Sequence, residues 1–138
     1  MDLSVYQQKA SSTAVYPTIM ELVVKALASQ GDDKLAVGVK QALELTDLNS
    51  NPYYALLGLT GEAGELANKI KKVMRDSGGV ISEKTSDSIK GELGDVMWYV
   101  AALATEMGFD LSEVAQSNLD KLSSRKEKGT LLGDGDNK

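Results

Sequence analysis

Along most of this chain apolar side chains recur at three- and four-residue steps, and nowhere do they alternate in the two-residue rhythm of a strand. The clearest run spans roughly 53–75, where Leu56, Leu59, Ala63, Leu66, Ile70 and Val73 define one helical stripe. A second spans roughly 87–107, with Ile89, Leu93, Val96, Val100, Leu103 and Met107, and Gly108 stands where a helix C-terminus is expected. Asp110 reads as the N-cap of a further helix reaching about Lys128, and Glu113 three residues later completes a capping-box pattern.

The first fifty residues are less regular. A helix over 4–16 with Ser4 as N-cap is expected, then one beginning at Pro17 and carrying Ile19, Met20, Leu22, Val23, Ala26 and Leu27. Gly31-Asp32-Asp33 reads as a break, 34–46 as a helix weakened by Gly38, and Asn49-Ser50-Asn51-Pro52 as a turn. Residues 80–86 read as a loop. The expectation is an all-α bundle of about four to five helices over 1–128, followed by a Gly/Asp-rich tail over 129–138. The two strong helices are joined by a short loop and should pack antiparallel.

Composition narrows the chemistry. The 138-residue chain suffices for one domain with a core. It has no cysteine and no histidine, which excludes disulfides, Cys/His zinc sites and catalysis by Ser–His or Cys–His pairs. Its net charge of −5 argues against general nucleic-acid binding. No apolar run is long enough to span a membrane and no secretory signal opens the chain, so cytoplasmic residence is the expectation. What remains is chemistry by carboxylates, amines, hydroxyls and a hard metal ion.

Against that background one internal echo stands out. Gly61-Glu62-Ala63-Gly64-Glu65-Leu66 is answered by Gly91-Glu92-Leu93-Gly94-Asp95-Val96, one copy in each strong helix. At about 100° per residue, the inner acids Glu62 and Glu92 lie roughly 60° from their apolar stripes, and Glu65 and Asp95 about 120° away on the same side. Antiparallel packing can therefore converge four carboxylates. Without a cation they would repel one another by several kcal/mol, even at an effective dielectric near ~20. An all-oxygen set suits Mg²⁺, or Mn²⁺ in its place. Each neighbouring glycine costs about 1 kcal/mol in a helix relative to alanine, which close helix approach or room for a bulky anion would explain.

At these residues the sequence resembles the MazG-like nucleotide pyrophosphohydrolases of the all-α NTP pyrophosphatase superfamily. The likeness runs through Gly58 to Leu66, Lys71-Lys72, Glu92 to Tyr99 and Asn118 to Arg125, from Tyr54 to the Gly133-Asp134-Gly135-Asp136 tail. It implies that Glu62, Glu65, Glu92 and Asp95 hold Mg²⁺ and that the α–β phosphoanhydride of a nucleoside triphosphate is hydrolysed. It also implies a homodimer or homotetramer. Glu62 and Glu65 are the candidate general bases.

Other side chains have two readings each. Lys69 and Lys72 share the flank of Glu65, where they grip phosphate or pair with surface acids. Asn118, Lys121 and Arg125 form a donor-rich row on the last helix, suited to phosphate or base recognition, or to the negative end of the helix dipole. Tyr99, one turn beyond Asp95, contacts a base or sugar, or packs in the core. Trp98 points away from its helix's apolar stripe and reads as a subunit-interface residue. The competing functions are a same-superfamily enzyme for a modified nucleotide or phosphoribosyl-ATP, and a non-catalytic helical scaffold. A ferritin-like di-iron site is excluded by the missing histidines.

Overall fold

Among the residues that the computed structural model describes, 1–31, 33–44 and 50–130, there are six helices. They are α1 (Leu3–Ser11), α2 (Ile19–Ser29), α3 (Asp33–Leu43), α4 (Pro52–Asp76), α5 (Glu83–Glu106) and α6 (Leu111–Glu127), with no strand among the described residues. The expected end of the third helix at 46 and the tail from 131 fall outside the described residues.

Asp2, not Ser4, caps α1. Ser4 instead bonds across the molecule, its hydroxyl to Ser112 Oγ at 2.9 Å and to Asp110. α1 stops at Ser11, five residues short of expectation, and the chain then runs irregularly to Thr18. Thr18 caps α2 in a reciprocal box with Glu21. Asn51 caps α4, with Pro52 in its first turn. Ser82 caps α5, so helix begins at Glu83 inside the stretch expected to be a loop. That first turn is polar throughout, and no apolar period betrays it. α5 ends in a Schellman turn: Phe109 N–H bonds Ala104 C=O at 2.8 Å and Gly108 N–H bonds Thr105 C=O at 3.0 Å, with Gly108 at φ +70°. Asp110 takes the amides of Ser112 and Glu113 to open α6.

α4 and α5 make the principal pairing. Gly58 meets Tyr99 near one end and Lys69 meets Ser88 nearer the other, so the two run antiparallel. Each helix offers two parallel rows at seven-residue intervals. Leu59, Leu66 and Val73 on α4, with Ile89, Val96 and Leu103 on α5, are half-buried or buried and hold the pair together. The adjoining row carries Ala55, Glu62, Lys69 and Asp76 on α4, and Thr85, Glu92, Tyr99 and Glu106 on α5. The chemistry thus lies alongside the adhesive seam.

α1 packs on α5 and α6. Ala10, Ala101, Ala104 and Leu111 form a small core with Leu3, Tyr6 and Trp98 against it. Gln7 bonds the Phe109 carbonyl at 2.7 Å and receives Leu111 N–H at 2.8 Å, fixing the α5–α6 corner. α2 pairs with α3. Their entry is tied to the long pair by Glu106, which accepts Tyr16 O–H at 2.5 Å and Asn51 N–H. Asn51 Nδ2 in turn donates to Pro17 C=O at 2.8 Å.

Candidate metal and phosphate site

Glu62, Glu65 and Glu92 come together in the α4–α5 groove, each with a carboxylate oxygen within 4.8 Å of the others'. Glu62 and Glu92 are half-buried and Glu65 is exposed. Asp95 is not part of this trio: its side chain is one methylene shorter than glutamate and it is exposed. It is still close enough to act on Glu62. Partial burial, followed by the charges of Glu65, Asp95 and Glu92, holds the Glu62 carboxyl above its ordinary value. Glu62 is the point where the fourfold repulsion concentrates.

One cation answers part of that charge. Lys69 Nζ lies 3.2 Å from Glu92 Oε1 and 2.7 Å from Ser88 Oγ, crossing from α4 to α5. Lys72 lies one turn further along α4. Lys69, Lys72, Lys84, Thr85, Ser88 and Asp76 line a polar pocket of about 310 Å³ at this end of the groove. Lys84 and Thr85 carried no signal in the sequence, because they precede the apolar period of α5.

At the other end stands Tyr99. Its ring presses on the α4 backbone so closely that a Cβ at Gly58 would lie 2.0 Å from a ring carbon. Burial, the Tyr54 hydroxyl and the charges of Glu62 and Asp95 raise the Tyr99 hydroxyl above its usual value. The glycine that close packing requires is therefore Gly58. A Cβ at Gly61, Gly64, Gly91 or Gly94 would meet nothing within 4 Å, so close helix approach within the chain does not account for these four.

Two expectations change. Trp98 is not left outward for a partner subunit. It is half-buried under α1 and the segment after it, its Nε1–H donates to Thr13 Oγ1 at 2.8 Å, and its ring meets Tyr16 and Tyr99 edge-on. The helical wheel of α5 recorded one apolar stripe, whereas α5 is packed on two sides. Asn118, Lys121 and Arg125 are not brought to the acids within one chain. α6 packs on α1, with Asn118 and Lys121 exposed and Arg125 half-buried.

The donor set fits a hard divalent cation: carboxylate oxygens only, mutually repelling, and within a common reach. Clustered helical carboxylates that could hold a metal, with lysines beside them, suit the handling of phosphates.

Residues 51–130, more than half of the chain, match the model of the MazG nucleotide pyrophosphohydrolase domain, and the chain belongs to that family. Over its whole length it is also 43% identical to the full length of the Gene 37 protein of Mycobacterium phage L5. No solved structure matches significantly.

Proposed function

We propose that this protein hydrolyses nucleoside triphosphates between the α- and β-phosphates, releasing a nucleoside monophosphate and pyrophosphate with Mg²⁺. The observation that carries this reading is the convergence of Glu62, Glu65 and Glu92, with Asp95 beside them, in a groove that ends in a lysine-lined pocket. Glu62, Glu65, Glu92 and Asp95 would hold the metal. When bound, it supplies charge screening for the polyphosphate and lowers the pKa of a nearby water.

The chain's own groups do the rest. Glu62, half-buried in the groove, is the candidate to accept the proton of the attacking water, with Glu65 as the other. Lys69 and Lys72 stabilise the departing pyrophosphate. Tyr99 bounds the nucleoside end. Asn118, Lys121 and Arg125 lie on α6, which packs on α1, and would join this site from another copy of the chain in a homodimer or homotetramer. Supporting such an assembly is a second, apolar cavity of about 560 Å³ that includes Tyr53, Leu56, Val100, Met107, Phe109 and Val114, all of them exposed in the single chain.

The test is to incubate the protein with each common NTP and dNTP plus Mg²⁺ and resolve the products. Monophosphate with pyrophosphate supports the reading, and diphosphate with phosphate contradicts it. Glu62→Ala and Asp95→Ala should abolish turnover while helical content persists. Silence toward every nucleotide would favour a non-catalytic helical scaffold. Cleavage of a modified nucleotide or phosphoribosyl-ATP alone would move the substrate within the superfamily.

A further inference from the structure

Four aromatic rings close a loop at the Tyr99 end of the groove. Tyr16 stacks on Tyr54, centroids 4.5 Å apart, and meets Trp98 edge-on at 6.5 Å. Trp98 meets Tyr99 edge-on at 4.9 Å, and the Tyr54 hydroxyl is a hydrogen-bond partner of the Tyr99 hydroxyl. Tyr16 thus reaches Tyr99 by two routes, one through Tyr54 and one through Trp98. Tyr54, Trp98 and Tyr99 fall within residues 51–130, which match the family domain, and Tyr16 does not.

Tyr16 stands in the irregular segment between α1 and α2, and that segment is pinned on both sides of it. Thr13 Oγ1 accepts Trp98 Nε1–H at 2.8 Å, and Pro17 C=O accepts Asn51 Nδ2–H at 2.8 Å. Tyr16 O–H donates to Glu106 at 2.5 Å, and Glu106 also takes the backbone N–H of Asn51. A stretch with no regular structure of its own is therefore held to the long helix pair by side chains. Its cover falls on Tyr99, which lies over Gly58 and feels the charges of Glu62 and Asp95. Tyr54 is 44% exposed, so without Tyr16 against its face it could change rotamer and carry its hydroxyl away from Tyr99. A wall that the substrate must first put in order binds it less tightly.

We propose that Tyr16 is a positioning residue: from outside the family domain it fixes Tyr54 and Trp98, and through them holds Tyr99 in place for the nucleoside moiety of the substrate. This rests on the pyrophosphohydrolase reading above and adds to it a part for the segment that precedes α2. The polyphosphate, bound at the acids and lysines, does not meet these rings, so the brace acts on the nucleoside alone.

The experiment measures KM and kcat for one nucleoside triphosphate in Mg²⁺, and inhibition by inorganic tripolyphosphate, for the wild type and for Tyr16→Ala, Tyr16→Leu and Tyr16→Phe. Circular dichroism checks that each variant is folded, and the leucine variant, which keeps the bulk, stands in where alanine is not. Loss of the ring should raise KM about five- to tenfold with kcat changed less than about twofold and tripolyphosphate inhibition unaltered. Tyr16→Phe, which keeps the stack on Tyr54, should stay close to the wild type. An unchanged KM in the folded variants overturns the proposal, and so does a matching loss of tripolyphosphate inhibition, which would mark a general loosening of the fold. If the wild type cleaves no nucleotide at all, the hydrolase reading fails on its own account. The brace is then judged by a double-mutant cycle of Tyr16→Leu and Tyr99→Leu in urea: a combined midpoint shift smaller than the sum of the single shifts upholds it, and an additive or greater shift overturns it.

Discussion

Lys69 and Glu92 join the two long helices across the acid cluster, Nζ to Oε1 at 3.2 Å, with the Lys69 side chain 31% and the Glu92 side chain 16% exposed. The cluster thus carries an internal counter-ion on the side facing the lysine pocket. Replacing Lys69 by methionine keeps the stem and removes the charge. The metal-free protein should lose up to about 1 kcal/mol in urea unfolding, as for a partly exposed pair. If the acids hold Mg²⁺ as proposed, saturating Mg²⁺ should shrink that difference by neutralising Glu92. An equal loss with and without Mg²⁺ would separate Lys69 from the proposed metal site.

The raised proton affinity of Glu62 has a pH consequence of definite sign. Its folded-state pKa lies above the unfolded value, so at neutral pH the folded chain bears the repulsion of an ionised Glu62. That penalty is relieved as pH falls through the folded-state pKa toward the unfolded one near ~4.3. The metal-free protein should therefore gain in this contribution on mild acidification, and Glu62→Gln should have a higher Tm than the wild type at pH 7. Mg²⁺ should raise the wild-type Tm more at pH 7 than at pH 5. Thermal melts at the two pH values check all three.

Glycine substitutions should divide sharply. At Gly61, Gly64, Gly91 and Gly94 an added Cβ meets nothing, so alanine should stabilise each by about 0.5–1 kcal/mol through helix propensity. Gly58→Ala must displace the Tyr99 ring, and overpacking of this kind costs about 1–3 kcal/mol. Denaturation midpoints should order the five variants accordingly. Nucleotide turnover should fall in Gly58→Ala even where the fold survives.

Tyr16→Phe isolates the tie between the N-terminal segment and the long pair. The ring stack on Tyr54, centroids 4.5 Å apart, is kept, and the hydrogen bond to Glu106 is lost. The expected loss is about 1.5 kcal/mol, that of a hydrogen bond to a charged group. Burial and Glu106 hold the Tyr16 hydroxyl well above its ordinary value, so the wild type keeps this contribution below about pH 10 and loses it as pH rises toward the folded-state pKa. The fluorescence of Trp98, the single tryptophan and edge-on to Tyr16, reports the change.

The long helices could be read from the sequence because their period is local and their seam is largely built between neighbours in the chain. The same holds for the acids, whose Gly–acid repeat sits in two consecutive helices and places Glu62, Glu65 and Glu92 together by helical geometry alone. Trp98 could not be read, since its cover is Thr13 and Tyr16, more than eighty positions away. Ser4 failed as a cap for a similar reason, its hydroxyl being engaged by residues on the far end of the chain. Gly58 looked like one of a series of glycines, and only the crossing of Tyr99 distinguishes it. The lysine pocket was half legible: Lys69 and Lys72 follow the acid motif, whereas Lys84 lies in a polar turn with no period to announce it.

Among the described residues the buried ones are mostly alanines, joined by Val73, Leu111 and the capping Asn51, and no large side chain is fully enclosed. Alanines let helix axes approach closely but withdraw little apolar area from water. Leu57, Met74 and Tyr53 meanwhile stand about 70% exposed. A chain built this way holds much of its potential for exclusion of water in reserve on its outside. Its melting temperature should accordingly rise with protein concentration, and dilution should act on it as a denaturant.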